Sequence, residues 1–306
     1  MDITTLISAL PGDVAQGLIW GVMALGVFIT FRILDFADLT VDGSLATGGA
    51  VTVVLITNGW SAPAALLAAF FVGVLAGLVT GLLHTALGIP GILAGILSQI
   101  ALYSINLNIM GGSANMALNF MKYNLIISLR EVPRAIAIGV ILVAAIIALI
   151  YWYLGTEQGS ALRATGCNPA MSRAQGINID MMKLIALALS NGLVALSGGL
   201  LAQYQGFADI NMGRGAIVIG LAAVIIGEVI GSAIFGKKMN FVLRLAFVVV
   251  GAIIYYIVIG VVLWLKMPTN DLKLFTAIIV AIFLAVPYIK GQSKNSFRKA
   301  AKKGAK

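Results

Sequence analysis

The sequence is poor in the residues that most often build catalytic and metal sites. It has one cysteine, Cys167, and one histidine, His84, among 306 residues. A single cysteine cannot form an internal disulfide, and one histidine with one cysteine is too few ligands for a metal site. No histidine is available to activate a serine or cysteine, and no pair of acids lies in a recognisable catalytic setting. We therefore expect no catalytic residue, no bound metal and no cofactor in this chain.

Charged residues are scarce as well, at 10% of the chain, whereas hydrophobic residues make up 60%. A composition this apolar lies outside the range of soluble domains and is typical of a membrane protein. The first basic residue is Arg32. The N-terminus therefore lacks the positive region of a signal peptide, and the apolar segment from 14 to 31 is expected to be a retained span.

Long apolar segments follow one another along the whole chain. A spanning helix needs about 20 apolar residues. The candidates lie near 14–33, 44–57, 61–87, 91–109, 134–154, 182–205, 214–235, 240–265 and 272–289. The second is too short to cross alone and fits only as a buried half-helix. The pattern predicts an all-α polytopic bundle of about eight to ten spans, in a single transmembrane domain over residues 1–306.

Basic residues concentrate in three places. They are the polar connection at 156–183, the pair Lys237 and Lys238, and the tail at 290–306, which has seven basic residues and no acid. Counting crossings puts all three on one side, which the positive-inside rule makes cytoplasmic, and residues 1–13 on the other. The tail favours anionic membrane lipids as its partner, not nucleic acid.

One glycine-rich run is close to a phosphate-binding loop. Residues 231–238 read GSAIFGKK, but the motif requires a final Ser or Thr and a strand-to-helix context. Here the last residue is Lys238, and the glycines end an apolar span. ATP binding by this chain is therefore not expected.

The most informative run lies in the polar connection. Asn168 is a good N-cap, Pro169 suits the first helical position, and Gly176 suits the left-handed residue just after a helix. They predict a short helix of about two turns, which is marginal alone. With Arg163 and Arg173 beside it, such a helix fits docking on another protein; the alternative is a connecting loop whose arginines only fix topology.

The run from Leu162 to Pro169, continuing through Arg173 and residues 176–178, resembles the cytoplasmic coupling loop of bacterial ABC importer permeases of the branched-chain amino acid type. This superfamily includes simple-sugar and nucleoside permeases. The resemblance extends through residues 197–201, 213–228 and 21–50.

The resemblance implies a complex of two permeases and two ATPases in the bacterial inner membrane, fed by an extracytoplasmic substrate-binding protein. The second permease is expected to be an identical copy, and ATP and magnesium are expected on the partner ATPase. The residues that the resemblance assigns to ATPase coupling are Arg163, Gly166, Asn168, Pro169, Arg173 and Gly176.

A weak internal repeat also emerges. Residues 43–56 align with residues 215–228 at a constant offset, pairing Gly48 with Gly220. The two segments are predicted to cross in opposite directions, as inverted repeats do in many transporters, and substrate paths run beside such segments. Pathway candidates are therefore Gly48 and the intramembrane polar residues Gln99, Asn191 and Glu228. Interhelical hydrogen bonding is the alternative role for the amides.

Three acids gather at Asp35, Asp38 and Asp42, just before the short second segment. We expect this stretch near the cytoplasmic boundary, with Asp42 capping the second segment. If the turn is helical, the three carboxylates share one face. Two roles remain open for these acids. They either form a solvated boundary and cap the second segment, or they act directly in substrate passage or gating.

The leading interpretation is an importer permease for a small organic solute. The sequence of residues 34–44 resembles that of a branch of the superfamily linked to amino acid uptake, which includes tryptophan and tyrosine systems. Two alternatives remain: a nucleoside or simple-sugar permease, and an ion-driven secondary transporter that couples through the four membrane acids.

Overall fold

The computed structural model describes residues 3–236 and 239–265, together with residues 274, 277–278, 281–282 and 285. Its α-helices are α1 (Ile3–Phe28), α2 (Val41–Thr57), α3 (Ala62–Thr85), α4 (Gly91–Ile109), α5 (Val132–Gly155), α6 (Glu157–Cys167), α7 (Pro169–Ala174), α8 (Ile179–Gln205), α9 (Ala216–Phe235) and α10 (Phe241–Trp264). A π-helical turn, Ile29–Ile33, extends α1, and a 3-10 turn, Leu129–Glu131, precedes α5. Two three-residue strands, β1 (Asn115–Ala117) and β2 (Phe207–Asp209), pair antiparallel.

The predicted helical membrane architecture is confirmed. Seven helices of the described part are long and apolar enough to cross a membrane, and α2, with 17 residues, is a shorter apolar helix. Most of α2 is buried, as predicted for a half-helix. Two thirds of the predicted ninth span at 272–289 lies outside the described residues, and so do Lys237, Lys238 and the basic tail at 290–306.

The centre of the bundle is formed by α1 and α8. The most apolar stretch of each is 83% and 78% buried, against 28–44% for the other candidate spans. They run antiparallel, because Ser197 Oγ donates to the carbonyl of Ile19 and Ser190 Oγ donates to that of Gly26, both at 2.8 Å. In a membrane, such hydroxyl bonds replace the hydrophobic effect as an attraction between helices.

Helix α8 also provides a measure of depth. It begins just after α7 and ends just before β2, so these elements lie at opposite ends of the bundle. We call the two ends the α6–α7 side and the strand side. The 27 residues of α8 extend about 40 Å at 1.5 Å per residue. Asn191, the thirteenth residue, therefore marks the middle.

Helix α2 starts at this middle level and runs to the strand side. Ser44, in its first turn, donates to Asn191 Oδ1 at 2.6 Å, and Thr52 lies against Gly199 about two turns farther along α8. Helix α9 also starts in the middle but runs to the α6–α7 side. Its residue Gly220 lies against Val27 near the end of α1. The two segments of the sequence repeat thus run in opposite directions, as the repeat predicts.

Glycines allow the close approach of α2 and α3 to α8. A β-carbon on Gly48 would collide with the backbone of Ala195, and one on Gly73 or Gly77 would collide with the α8 backbone at Asn191 or Leu187. The α3 glycines therefore have a packing role. Small residues at such positions let helix backbones meet and gain van der Waals contact.

We expect Gly48→Ala to destabilise the protein, because the new methyl group must push α2 away from α8. Overpacking of this kind costs about 1–3 kcal/mol. Thermal unfolding of the detergent-solubilised protein measures the effect. Gly155→Ala is the matched control, since a β-carbon there meets no atom of the described residues within 4 Å. Equal unfolding temperatures for the two variants would contradict the packing argument.

Candidate functional site

The acid-rich stretch before α2 is not helical, so the condition under which the three carboxylates would share one face is not met. The π-helical turn ends α1, with the Leu34 amide donating to the Ile29 carbonyl at 3.1 Å, and residues 35–38 follow without helical hydrogen bonding. Asp35 is exposed and has a positive φ of 57°. The chain is extended here because it must climb from the α6–α7 side to the middle of the bundle. The sequence had indicated a position near the membrane boundary for this stretch. In the structure, the stretch instead runs from the α6–α7 side to the middle of the bundle.

Asp38 lies at the inner end of this climb, 1% exposed. Its carboxylate accepts a hydrogen bond from Asn191 Nδ2 at 2.6 Å and one from the Thr40 amide at 2.9 Å. Asn191 in turn accepts from Ser44. Asn191 and Ser44 are fully buried. Their hydrogen bonds attach the linker, residues 34–40, and the start of α2 to α8. This contact supports the interhelical role for Asn191 over a pathway lining.

Hydroxyl groups fasten the same region to α3 and α4. The Thr40 and Thr80 hydroxyls lie 2.8 Å apart, and Thr80 donates to Ser98 at 2.7 Å. All three residues are buried. Neither threonine was predicted as a site residue, because a hydroxyl in an apolar helix carries no sequence signal that distinguishes it from an ordinary packing residue.

Asp42 was predicted to cap α2, and this is wrong. The residue lies inside the first turn of α2, whose N-cap is Thr40. Its carboxylate instead accepts from the amides of Gly215 and Ile217, both at 2.9 Å, at the start of α9. The first amides of a helix have no intrahelical partner and carry the positive end of the dipole. Asp42 thus supplies from α2 the acceptor that α9 lacks.

The other predicted pathway residues fall into different environments. Gly48 is a packing contact with α8. Gln99 is half-buried and lines, with Asp42, a cavity of about 350 Å³. Glu228 lies toward the α6–α7 side and accepts from Arg32 Nε at 2.7 Å. The structure thus brings Asp42 and Gln99 together, and Asp38 with Asn191, whereas Asp35 and Glu228 lie elsewhere. The Arg32 partner was missed, since residues 196 positions apart in sequence carry no local signal.

The short helix predicted after Asn168 is present as α7. Asn168 is its N-cap, with Oδ1 accepting from the Met171 amide at 3.1 Å, and Pro169 is its first residue. Gly176 has a φ of 82°, the left-handed conformation expected after the helix. Arg173 is exposed. Local capping chemistry therefore sets both ends of this six-residue helix.

A second helix, α6, precedes it and was not predicted. Its N-cap is Thr156, whose hydroxyl accepts from the Gly159 amide at 3.2 Å. Arg163 lies on α6, not on α7, and donates to Ser160 Oγ at 3.1 Å. Gly166 packs so closely against the Ile33 carbonyl that a β-carbon would collide with it. The connection is thereby in direct contact with the end of α1, where the climb toward Asp38 begins.

Two helices that begin inside a helical bundle, as α2 and α9 do here, are typical of membrane transport proteins. Residues 14–287 match the family described as branched-chain amino acid transport system, permease component. The chain belongs to this family and is an ABC-type permease. The family resemblance inferred from the sequence is thus confirmed.

Individual relatives agree with this assignment. The chain is 40% identical over 278 residues, 91% of both chains, to a tyrosine transport system permease protein of Clostridioides difficile. It is 27% identical over 164 residues, 52% of this chain and 45% of the other, to the autoinducer 2 import system permease protein LsrC of Salmonella typhimurium. Among solved structures, PsaBC from Streptococcus pneumoniae in complex with Fab aligns with 14% identity and a TM-score of 0.42, over 85% of this chain and 95% of that chain.

We expect Asp42→Ala to lower thermal stability, because it leaves the amides of Gly215 and Ile217 without an acceptor inside the bundle. Leaving buried polar groups unpaired costs about 1–3 kcal/mol. Asp42→Asn retains one acceptor oxygen and should lose less. Thermal unfolding in detergent measures both, and Asp35→Ala is the control because Asp35 is exposed. If Asp42→Ala unfolds at the same temperature as Asp35→Ala, the role of Asp42 as a cap of α9 is excluded.

Proposed function

We propose that this chain is the permease subunit of an ATP-driven, binding-protein-dependent importer of amino acids, with tyrosine the leading substrate. The observation that carries the proposal is α7, a short helix capped at both ends whose Arg173 and Met171 are exposed. A two-turn helix has little stability of its own, so its defined shape favours docking in a groove of a partner. In this proposal the partner is the ATPase, which binds ATP and magnesium.

A continuous set of contacts leads from α7 into the bundle. Helix α6, which α7 follows directly, packs through Gly166 on Ile33. The linker after Ile33 leads to Asp38, which is bonded to Asn191 and hence to α8. Beyond it, Asp42 joins α2 to α9. Movement of α7 by the ATPase would therefore be transmitted to both interrupted helices, the elements expected to open the path alternately to either side.

The remaining partners follow from the same scheme. The α6–α7 side would face the cytoplasm of a bacterial cell, with the C-terminus on that side. The strand side would receive the substrate-binding protein, and a second, identical permease would complete the membrane part. Tyrosine is favoured because the 40% identical relative, similar over 91% of its length, is described as a tyrosine permease.

The second candidate substrate is a solute that resembles a simple sugar. It is favoured by the similarity to the autoinducer permease over about half of the chain. The ion-coupled alternative loses support. Asp38 and Asp42 are hydrogen-bonded to amide groups, and Glu228 is paired with Arg32, so these three acids have structural partners. Such partners explain their presence in a membrane protein without an ion-coupling role.

Arg173→Glu is expected to uncouple ATP hydrolysis from uptake while leaving the protein inserted. The reason is that it reverses a charge on the exposed surface of α7 without touching the Asn168 cap. ATP hydrolysis and tyrosine uptake are measured together in vesicles that contain the whole complex, and Arg173→Lys is the charge-retaining control. Uptake by Arg173→Glu at the wild-type rate would count against docking through α7.

The substrate and energy source can be tested in one reconstitution. Vesicles holding the permease, its ATPase and its binding protein should take up tyrosine when ATP is supplied, and should prefer it to leucine, uridine and ribose. Ribose uptake in place of tyrosine would favour the sugar alternative. Uptake that survives without the ATPase and collapses with the proton gradient would overturn the importer proposal.

A further inference from the structure

The cavity beside Asp42 has features that the coupling scheme does not use. It lies between the first turn of α2, the strand-side half of α4 and the loop before α9, with a volume of about 350 Å³. Its lining residues include Asp42, Gln99, Tyr103, Asn106 and Arg214. The volume falls within the range of small-molecule sites, about 300–1,000 Å³.

Asn106 is the most unusual of the lining residues. It is 1% exposed, and neither its amide nitrogen nor its amide oxygen has a hydrogen-bond partner within the described ranges. Buried side-chain amides nearly always have partners, because an unpaired donor or acceptor is costly away from water. A polar ligand in the cavity would supply the missing partner.

The cavity also has one group of each charge. The Asp42 carboxylate accepts hydrogen bonds from two backbone amides and has further lone pairs that can accept others. The Arg214 guanidinium makes no hydrogen bond and no ion pair among the residues that the structure describes. Arg214 directly precedes Gly215, the residue bonded to Asp42, so the two charges border the same cavity.

The depth of the cavity decides what surrounds it. Asp42 lies in the same turn of α2 as Ser44, which is bonded to Asn191 in the middle of α8. Arg214 and Tyr103 are nevertheless exposed in the single chain. An arginine in the middle of a membrane is rarely lipid-facing and instead borders a water-filled space or another polar surface.

We propose that this cavity binds the α-amino and α-carboxylate groups of an amino acid in transit. Arg214 donates to the carboxylate, Asp42 accepts from the ammonium, and the Asn106 amide offers a further donor and acceptor. A ligand with opposite charges on adjacent groups matches this arrangement, whereas a neutral sugar offers no opposite charge to either residue. The proposal rests on the proposed amino acid import and names the part of the substrate that the permease itself recognises.

The first test uses the whole complex in vesicles with L-tyrosine as the probe. Asn106→Leu and Arg214→Gln should each lower the tyrosine uptake rate about tenfold, the effect of losing a hydrogen bond to a charged group. ATP hydrolysis stimulated by the binding protein should stay at the wild-type rate, so ATP consumed per tyrosine rises about tenfold. Arg214→Lys should restore part of the uptake, which a merely structural role would not predict. Asn108→Leu and Arg130→Gln are matched controls, exposed and outside this cavity.

The second test does not depend on the folding of those variants. Ser104 lines the cavity, and a Ser104→Cys protein that also carries Cys167→Ser has one thiol, at that position. L-Tyrosine should slow the reaction of this thiol with a water-soluble reagent. Tyramine, which lacks the carboxylate, and 3-(4-hydroxyphenyl)propionate, which lacks the ammonium, should protect less.

Equal protection by the three compounds, or wild-type uptake by both Asn106→Leu and Arg214→Gln, would overturn the proposal while leaving amino acid import intact. A wild-type complex that transports ribose but no amino acid would overturn both proposals. Reduced uptake with unchanged ATP hydrolysis, together with selective protection by tyrosine, supports the site.

Discussion

The hydrogen bonds between the Asp42 carboxylate and the first amides of α9 are the interaction on which the rest of the structure depends. Helices α2 and α9 both begin in the middle of the bundle and run to opposite sides. A helix that begins inside a bundle leaves its first amides without an intrahelical acceptor. One carboxylate from the opposing helix resolves this problem and fixes the relative position of the two segments.

Around this point, buried polar contacts connect elements that are distant in sequence. Asp38 and Asn191 fasten the linker before α2 to the central helix α8, and Gly166 ties the α6–α7 connection to the other end of that linker. Because lipid offers little hydrophobic attraction between helices, such contacts and close glycine packing hold the bundle together. The same contacts provide a route by which motion of α7 reaches the interrupted helices.

The sequence was informative where local chemistry determines structure. Hydropathy located the spans, length marked α2 as a half-helix, and Asn168, Pro169 and Gly176 defined α7 because capping depends on neighbouring residues. The sequence was insufficient where the hydrogen-bond or ion-pair partner of a residue lies far away along the chain. Asp42 had a plausible local role at α2, and only the fold reveals that its partners are Gly215 and Ile217. The pairing of Arg32 with Glu228 depends equally on the fold, and so does the exposure of Arg214 near Asn106, whose amide has no partner in the described part of the chain.

The central claim is that Asp42 holds the start of α9 in the middle of the bundle. Hydrogen–deuterium exchange of the peptide covering residues 213–219 tests it most directly, in wild-type protein and in Asp42→Ala. The account predicts slow exchange at the Gly215 and Ile217 amides in the wild type and markedly faster exchange in the variant, with α8 unchanged. Equal exchange of this peptide in both proteins would contradict it.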